Sequence, residues 1–139
     1  MKQFTSEKQK IGEIGENLAC KFLEKQGFRV IERNYTKKWG EIDIVTEKRN
    51  KIHFIEVKTV SRENLDSVIH ETLSGKSSSY RPEDNMHQWK LKRLNRTIQT
   101  YLLDKNISEN KEWQLDLAVV FLNLKDKKAK VRILENIIL

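Results

Sequence analysis

The chain has 139 residues, which is enough for one domain with a substantial buried core. Its 27 Lys and Arg residues exceed its 20 Asp and Glu residues, and the net charge of +7 favours a polyanionic partner, nucleic acid before membrane. The single cysteine, Cys20, excludes an internal disulfide and a cysteine-rich zinc site. The sequence has no apolar run long enough for a membrane span and no apolar signal segment at its N-terminus, so we expect a cytoplasmic protein.

The first predicted element is a helix over residues 7–26. Gly27 follows it as a C-terminal stop, and its apolar stripe recurs at helical spacing: Ile11, Ile14, Leu18, Phe22 and Leu23. Glu16 lies at the edge of this stripe. Periodicity alone favours a glutamate that reaches water, and the alternative is a carboxylate aimed along the packing boundary into a site.

Three strands are predicted after this helix, separated by short turns: residues 29–35, 41–47 and 51–60. Residues 61–85 follow, with the weakest pattern of the chain and its only proline. A connection of this length in a compact domain is usually functional or disordered, so we expect a flexible or inserted loop there.

A second helix is predicted over residues 84–105. Trp89 and Lys90 lie near the margin of its apolar stripe. We interpret Trp89 as a packing residue, and the alternative is a base-stacking platform beside Lys90 on a nucleic-acid surface.

Two strands, over residues 114–122 and 129–134, complete the pattern. The order α-β-β-β-α-β-β predicts an α/β fold, with a single mixed β-sheet of about five strands flanked by helices. We expect one domain over residues 1–139.

The hairpin formed by the second and third strands carries the chemistry. If Arg49 and Asn50 form a two-residue turn, residues whose numbers sum to 99 lie opposite each other, and Asp43 faces Glu56. Lys58 shares the face of Glu56, because side chains alternate along a strand. Two opposed carboxylates with a lysine beside them are typical of a site for a divalent cation and an activated water.

Solvated charges on an exposed hairpin are the alternative interpretation. The same face also carries apolar residues, which indicates a strand covered on both sides, where unpaired charges are rare: Val45, Ile52 and Phe54. Oxygen ligands fit Mg²⁺ or Mn²⁺ better than zinc. The histidines have no ligand spacing and predict no metal site: His53, His70 and His87.

The chain resembles the YraN-like family of small proteins. Five blocks occur in the family's order: Gly12-Glu13-Ile14-Gly15-Glu16, Gly27-Phe28, Arg33-Asn34-Tyr35, Gly40-Glu41-Ile42-Asp43 and Phe54-Ile55-Glu56-Val57-Lys58-Thr59. Lys90, Tyr101-Leu102 and Asp116 continue the match. The resemblance implies the restriction-endonuclease-like fold with a PD-(D/E)XK core, similar to archaeal Holliday-junction resolvases.

This resemblance also implies roles for individual residues. Asp43 and Glu56 match the carboxylates that hold a divalent metal, Mg²⁺ or Mn²⁺, and Glu16 matches the helix carboxylate that completes the metal site. Lys58 matches the residue that orients or polarises the attacking water. These four residues are the expected catalytic set.

Arg33, Lys90 and Arg62 are the expected contacts to nucleic acid. Arg62 is assigned because the family often has an arginine two positions after the motif lysine, where this chain has Val60. Ile42 likewise stands where the nuclease motif often has proline.

The expected function is that of a metal-dependent DNA nuclease that hydrolyses phosphodiester bonds at branched or non-B DNA. DNA is favoured over RNA as the partner, no membrane association is expected, and the resolvases suggest a homodimer by analogy. The alternative is a non-catalytic nucleic-acid-binding accessory protein that keeps the nuclease fold. A weaker alternative is a protein–protein module in which the carboxylates are structural.

Overall fold

The computed structural model describes residues 6–61 and 88–139. Two helices and five strands occur there in the predicted order, and their bounds are α1 Glu7–Lys25, β1 Arg29–Lys37, β2 Gly40–Lys48, β3 Lys51–Ser61, α2 Gln88–Asp104, β4 Trp113–Asn123 and β5 Lys128–Leu134. The predicted α/β class is therefore confirmed, with ends that differ by a few residues. The loop predicted over 61–85 lies, from residue 62 onward, outside the described residues.

The five strands form one sheet in the order β1-β2-β3-β4-β5. Neighbouring strands are antiparallel except β3 and β4, which are parallel. A parallel pair needs a long crossover, and α2 lies within the segment that joins β3 to β4. The sheet is mixed, as the sequence predicts.

Each face of the sheet buries its own core. Ala19, Leu23, Ile44 and Ile55 belong to the cluster on the α1 face. The cluster on the α2 face is built from another set: Tyr35, Ile42, Val45, Ile52, Phe54, Leu94, Ile98, Tyr101 and Leu115. Covering both faces explains why β4 reads as a nearly continuous apolar run from Leu115 to Leu122, interrupted by Asp116.

The turn between β2 and β3 fixes the register of the hairpin. Arg49 and Asn50 both have positive φ, 52° and 62°, as a two-residue type I′ turn requires. The paired residues sum to 99, from Lys48 with Lys51 to Ile44 with Ile55. The predicted register is confirmed.

Helix α1 begins at a capped end and approaches the sheet closely. The Ser6 hydroxyl accepts a hydrogen bond from the Gln9 N–H, which satisfies one of the free donors at the helix N-terminus. A Cβ atom added to Gly15 would stand 1.9 Å from Thr59 Oγ1, so only glycine allows this contact with β3. In the described part of the chain, neither helix has the length and apolar character needed to cross a membrane.

Candidate functional site

The regular alternation of side chains breaks down in the middle of β2, around Asp43. Ile42 and Ile44 are two residues apart, yet they belong to cores on opposite faces. On the neighbouring strand β1, Asn34 has a left-handed φ of 55°, a conformation that asparagine tolerates better than most residues. The irregularity lies where Asp43 faces the ends of both helices.

The β2–β3 ladder also ends here. Its last pair is Ile44 with Ile55, and in a continued ladder the next hydrogen-bonded pair would be Ile42 with Val57. The Val57 N–H instead donates to Asp43 Oδ2 at 2.8 Å. The side chain of Asp43 therefore takes the place of a backbone acceptor, which holds the carboxylate in the gap between the two diverging strands.

The side chains of Asp43 and Glu56 are in hydrogen-bonding contact, although the β2–β3 ladder ends one pair before them. Burial raises the pKa of the Asp43 carboxyl well above its ordinary value, and the hydrogen bond and negative charge of Glu56 raise it further. The Val57 N–H and the charge of Lys90 act in the opposite direction. Asp43 therefore binds a proton more readily than an ordinary aspartate does when no metal is bound.

Two cavities border Asp43, one on each side of the sheet. The larger, about 680 Å³, lies beside α1 and is lined by Lys8, Glu16, Asp43 and Lys58 among others. The smaller, about 330 Å³, lies beside α2, and its lining includes Asp43, Glu56, Trp89, Lys90 and Arg93. Of these two cavities, Asp43 borders both, whereas Glu56 lines the α2-side cavity and Lys58 lines the α1-side cavity.

Lys58 lies half-buried next to the pair. Burial lowers the pKa of its ammonium group, and the positive charges of Lys90 and Lys8 lower it further, against the opposing effect of Glu56. Lys8 from α1 and Lys90 from α2 are thus both near enough to Lys58 to act on its charge. This local positive charge suits an anionic ligand such as a phosphate.

Glu16 lines the α1-side cavity, but its carboxylate is hydrogen-bonded to residues of β1. Its Oε1 atom accepts hydrogen bonds from Arg33 at 3.0 Å and from Asn34 at 2.9 Å. Burial raises the pKa of Glu16, the Arg33 hydrogen bond lowers it, and the charge of Asp43 raises it again. Its assignment as a third metal ligand stays a prediction.

The carboxylates that the structure describes near Asp43 are too few to form a complete protein cage around a divalent cation. Within residues 6–61 and 88–139, no three His, Cys, Asp or Glu side chains converge as a ready-made metal site. Mg²⁺ does not require such a cage, because it is usually held by one or two carboxylates together with waters and substrate phosphates. Asp43 and Glu56 could supply those carboxylates.

The predicted nucleic-acid contacts have different surroundings. Lys90 lines the α2-side cavity. The Arg33 guanidinium donates to Glu16 and to Asn17 Oδ1, so part of its hydrogen-bonding capacity is used within the protein. Arg62 lies outside the described residues. All three assignments stay predictions.

Sequence reasoning missed two features near these elements. The expectation that Trp89 packs into the protein is wrong, since its side chain is 58% exposed. The pairing of His53 with Asp116 was not predicted: His53 Nδ1 lies 2.8 Å from Oδ2 of the fully buried Asp116. An aspartate within an apolar strand was the signal for that pair, because a buried carboxylate needs partners.

Comparison with known proteins identifies the family. The sequence model of the uncharacterised protein family UPF0102 matches residues 15–120, which include Asp43, Glu56 and Lys58. The chain belongs to this family. UPF0102 is the YraN-like family, so the resemblance found in the sequence motifs is confirmed.

Several UPF0102 relatives match along most of their length. A UPF0102 protein of Alkaliphilus oremlandii is 35% identical over 127 residues, which cover 91% of this chain and 96% of the relative. A UPF0102 protein of Helicobacter pylori is 38% identical over 122 residues, with 88% and 85% covered. One from Campylobacter jejuni is 36% identical over 109 residues, with 78% and 81% covered.

Proposed function

We propose that this protein is a Mg²⁺- or Mn²⁺-dependent DNA nuclease that hydrolyses phosphodiester bonds. The observation that supports this proposal most strongly is the contact between Asp43 and Glu56, both of which line the α2-side cavity. The two acids stay in contact even though the pair is strained when both are ionised. A bound divalent cation would remove that strain.

Each residue has a role that follows from its place in the groove. Asp43 is fixed by the Val57 N–H, and with Glu56 it would hold the cation. When bound, the cation would stabilise charge developing on the phosphate and lower the pKa of a nearby water. The amine of Lys58 would hold that water or a phosphate oxygen, and Lys90 would attract the phosphate from the α2 side.

A non-catalytic nucleic-acid-binding protein with the same fold is the second candidate. The observation that favours it is the state of Glu16, whose carboxylate is bonded to Arg33 and Asn34 rather than turned into the pair. A protein that only binds nucleic acid would use the lysines around the two cavities, and Asp43 and Glu56 would have no chemical role. The net charge of +7 serves either candidate.

A substrate panel distinguishes the two. Purified protein is incubated with duplex, forked, four-way and single-stranded DNA, with Mg²⁺, with Mn²⁺ or with chelator, and binding is measured on the same samples. The nuclease proposal expects cleavage that requires the cation and is strongest on branched DNA. Binding to branched DNA without cleavage under either metal would contradict it and favour the accessory binder.

A further inference from the structure

An indole ring stands exposed at the start of α2, close to the carboxylate pair. Trp89 is 58% exposed although tryptophan is among the costliest residues to leave in water. The guanidinium of Arg93, one helical turn further on, lies over this ring at 5.3 Å from its centroid. Arg93 therefore stacks on the ring, and more than half of the side chain's surface stays open to a ligand.

The orientation of Arg93 is fixed by the turn that joins β1 to β2. Its Nε donates to the carbonyl oxygen of Trp39 at 3.1 Å. Gly40 lets this turn lie against α2, since a Cβ atom there would come within 2.5 Å of Thr97 Oγ1. The guanidinium that stacks on the ring is therefore oriented before a ligand binds, which lowers the entropy cost of ordering it on binding.

The same two side chains border the α2-side cavity that contains Asp43 and Glu56. Lys90 supplies a further positive charge there. A flat aromatic surface next to basic groups is the arrangement by which proteins hold unpaired bases, with the base on the ring and the phosphate on the cations. The α2-side cavity has a volume of about 330 Å³, which is at the lower end of the range for small-ligand pockets.

We propose that this cavity takes an unpaired nucleotide, whose base stacks on Trp89 while its phosphate lies toward Lys90 and Arg93. Bases inside a continuous duplex are stacked on their neighbours and cannot offer a free face. The preferred substrates are therefore single strands, flaps and junctions with unstacked bases. This inference rests on the proposed function for the role of the carboxylates, but the stacking site itself is testable without cleavage.

The test measures affinity in chelator, where no metal-dependent cleavage can occur. Wild type, Trp89→Ala and Trp89→Phe are titrated with a labelled single-stranded oligonucleotide and with a blunt duplex of the same length. Stacking of one base on an aromatic side chain corresponds to about 5- to 150-fold in affinity, and the partly covered ring places our expectation near tenfold for Trp89→Ala. Duplex affinity should change by less than about twofold, because phosphate contacts dominate it. Trp89→Phe should keep most of the single-strand affinity.

Control variants separate stacking from charge and from folding. Leu103→Ala, at an 80% exposed position at the far end of α2, should leave both affinities unchanged. Arg93→Gln should weaken binding and reduce the salt slope of single-strand affinity by about one, whereas Trp89→Ala should leave that slope intact. Equal losses on single strand and duplex, or no loss on either, would overturn the stacking site.

The outcome is distinguishable from failure of the proposed function. A protein that never cleaves DNA but loses single-strand affinity in Trp89→Ala would refute the nuclease and support the stacking site. Cleavage by the wild type together with unchanged single-strand affinity in Trp89→Ala would support the nuclease and refute the stacking site.

Discussion

Replacing Asp43 by asparagine is expected to stabilise the metal-free protein, although the change touches the centre of the proposed site. Asparagine keeps an oxygen for the Val57 N–H and gains an amide donor for Glu56, while the charge that opposes Glu56 disappears. Two unit charges about 4 Å apart repel by roughly 4 kcal/mol at an effective dielectric constant of about 20. In the wild type, part of this repulsion is offset by the Val57 hydrogen bond, by the charge of Lys90 and by proton uptake at Asp43. We therefore expect Asp43→Asn to raise the free energy of unfolding by about 1–3 kcal/mol.

The pH dependence has a definite sign. The pKa of Asp43 is raised in the folded state, so the folded protein binds more protons than the unfolded chain, and wild-type stability falls as pH rises through that window. The advantage of Asp43→Asn is therefore complete above the folded pKa. It disappears as pH falls below the unfolded value of about 3.9.

Thermal unfolding with and without Mn²⁺ measures both effects. For a chain of this size, about 1–3 kcal/mol corresponds to a rise in Tm of roughly 3–12 °C. Mn²⁺ at about 100 times its Kd should add about 2.7 kcal/mol to wild type and little to Asp43→Asn. Glu109→Gln, at an exposed position, is the matched control and should behave like wild type. Equal responses of wild type and Asp43→Asn to Mn²⁺ would refute the assignment of the cation to this pair.

Two further predictions concern the framework of the site. Gly15→Ala should destabilise the protein by about 1–3 kcal/mol, because its Cβ would stand 1.9 Å from Thr59 Oγ1. The Cβ of Gly12→Ala, on the same helix, meets nothing within 4 Å, so this variant should stabilise the protein by up to about 1 kcal/mol. Urea denaturation of the two variants should give opposite signs, and equal signs would contradict the close contact of α1 with β3. Asp116→Ala should cost about 3–5 kcal/mol by the same assay, since it removes the acceptor for His53, for the Gln114 amide and for the Asn136 N–H from a fully buried position. A loss below about 1 kcal/mol would show that those groups find other partners.

The order of elements and the hairpin register could be predicted because they depend on local patterns. Apolar periodicity distinguishes the helices from the strands, and a two-residue turn at Arg49 and Asn50 leaves a single register for the residues that follow. That register alone is enough to bring Asp43 toward Glu56. The proximity of Asp43 and Glu56, at the centre of the candidate site, could thus be predicted from the sequence.

The surroundings of the pair could not be predicted, because they depend on packing between distant elements. The break in alternation at Asp43 is invisible to a period of two. Whether Glu16 turns to a metal or to Arg33 depends on how α1 lies across the sheet, which it approaches closely at Gly15. The exposure of Trp89 depends likewise on what covers the margin of α2, which helical spacing does not indicate.

Cleavage by Glu56→Ala, measured together with DNA binding, tests the central claim most directly. Affinity should come mainly from Lys and Arg contacts to phosphates and fall steeply with salt, so removing one acid should leave binding intact or tighten it. Loss of a cation ligand should reduce the single-turnover rate by at least about 100-fold, the scale of a single transition-state contact. We predict preserved binding with abolished cleavage in Mg²⁺ and in Mn²⁺, and cleavage at the wild-type rate in Glu56→Ala would contradict the account.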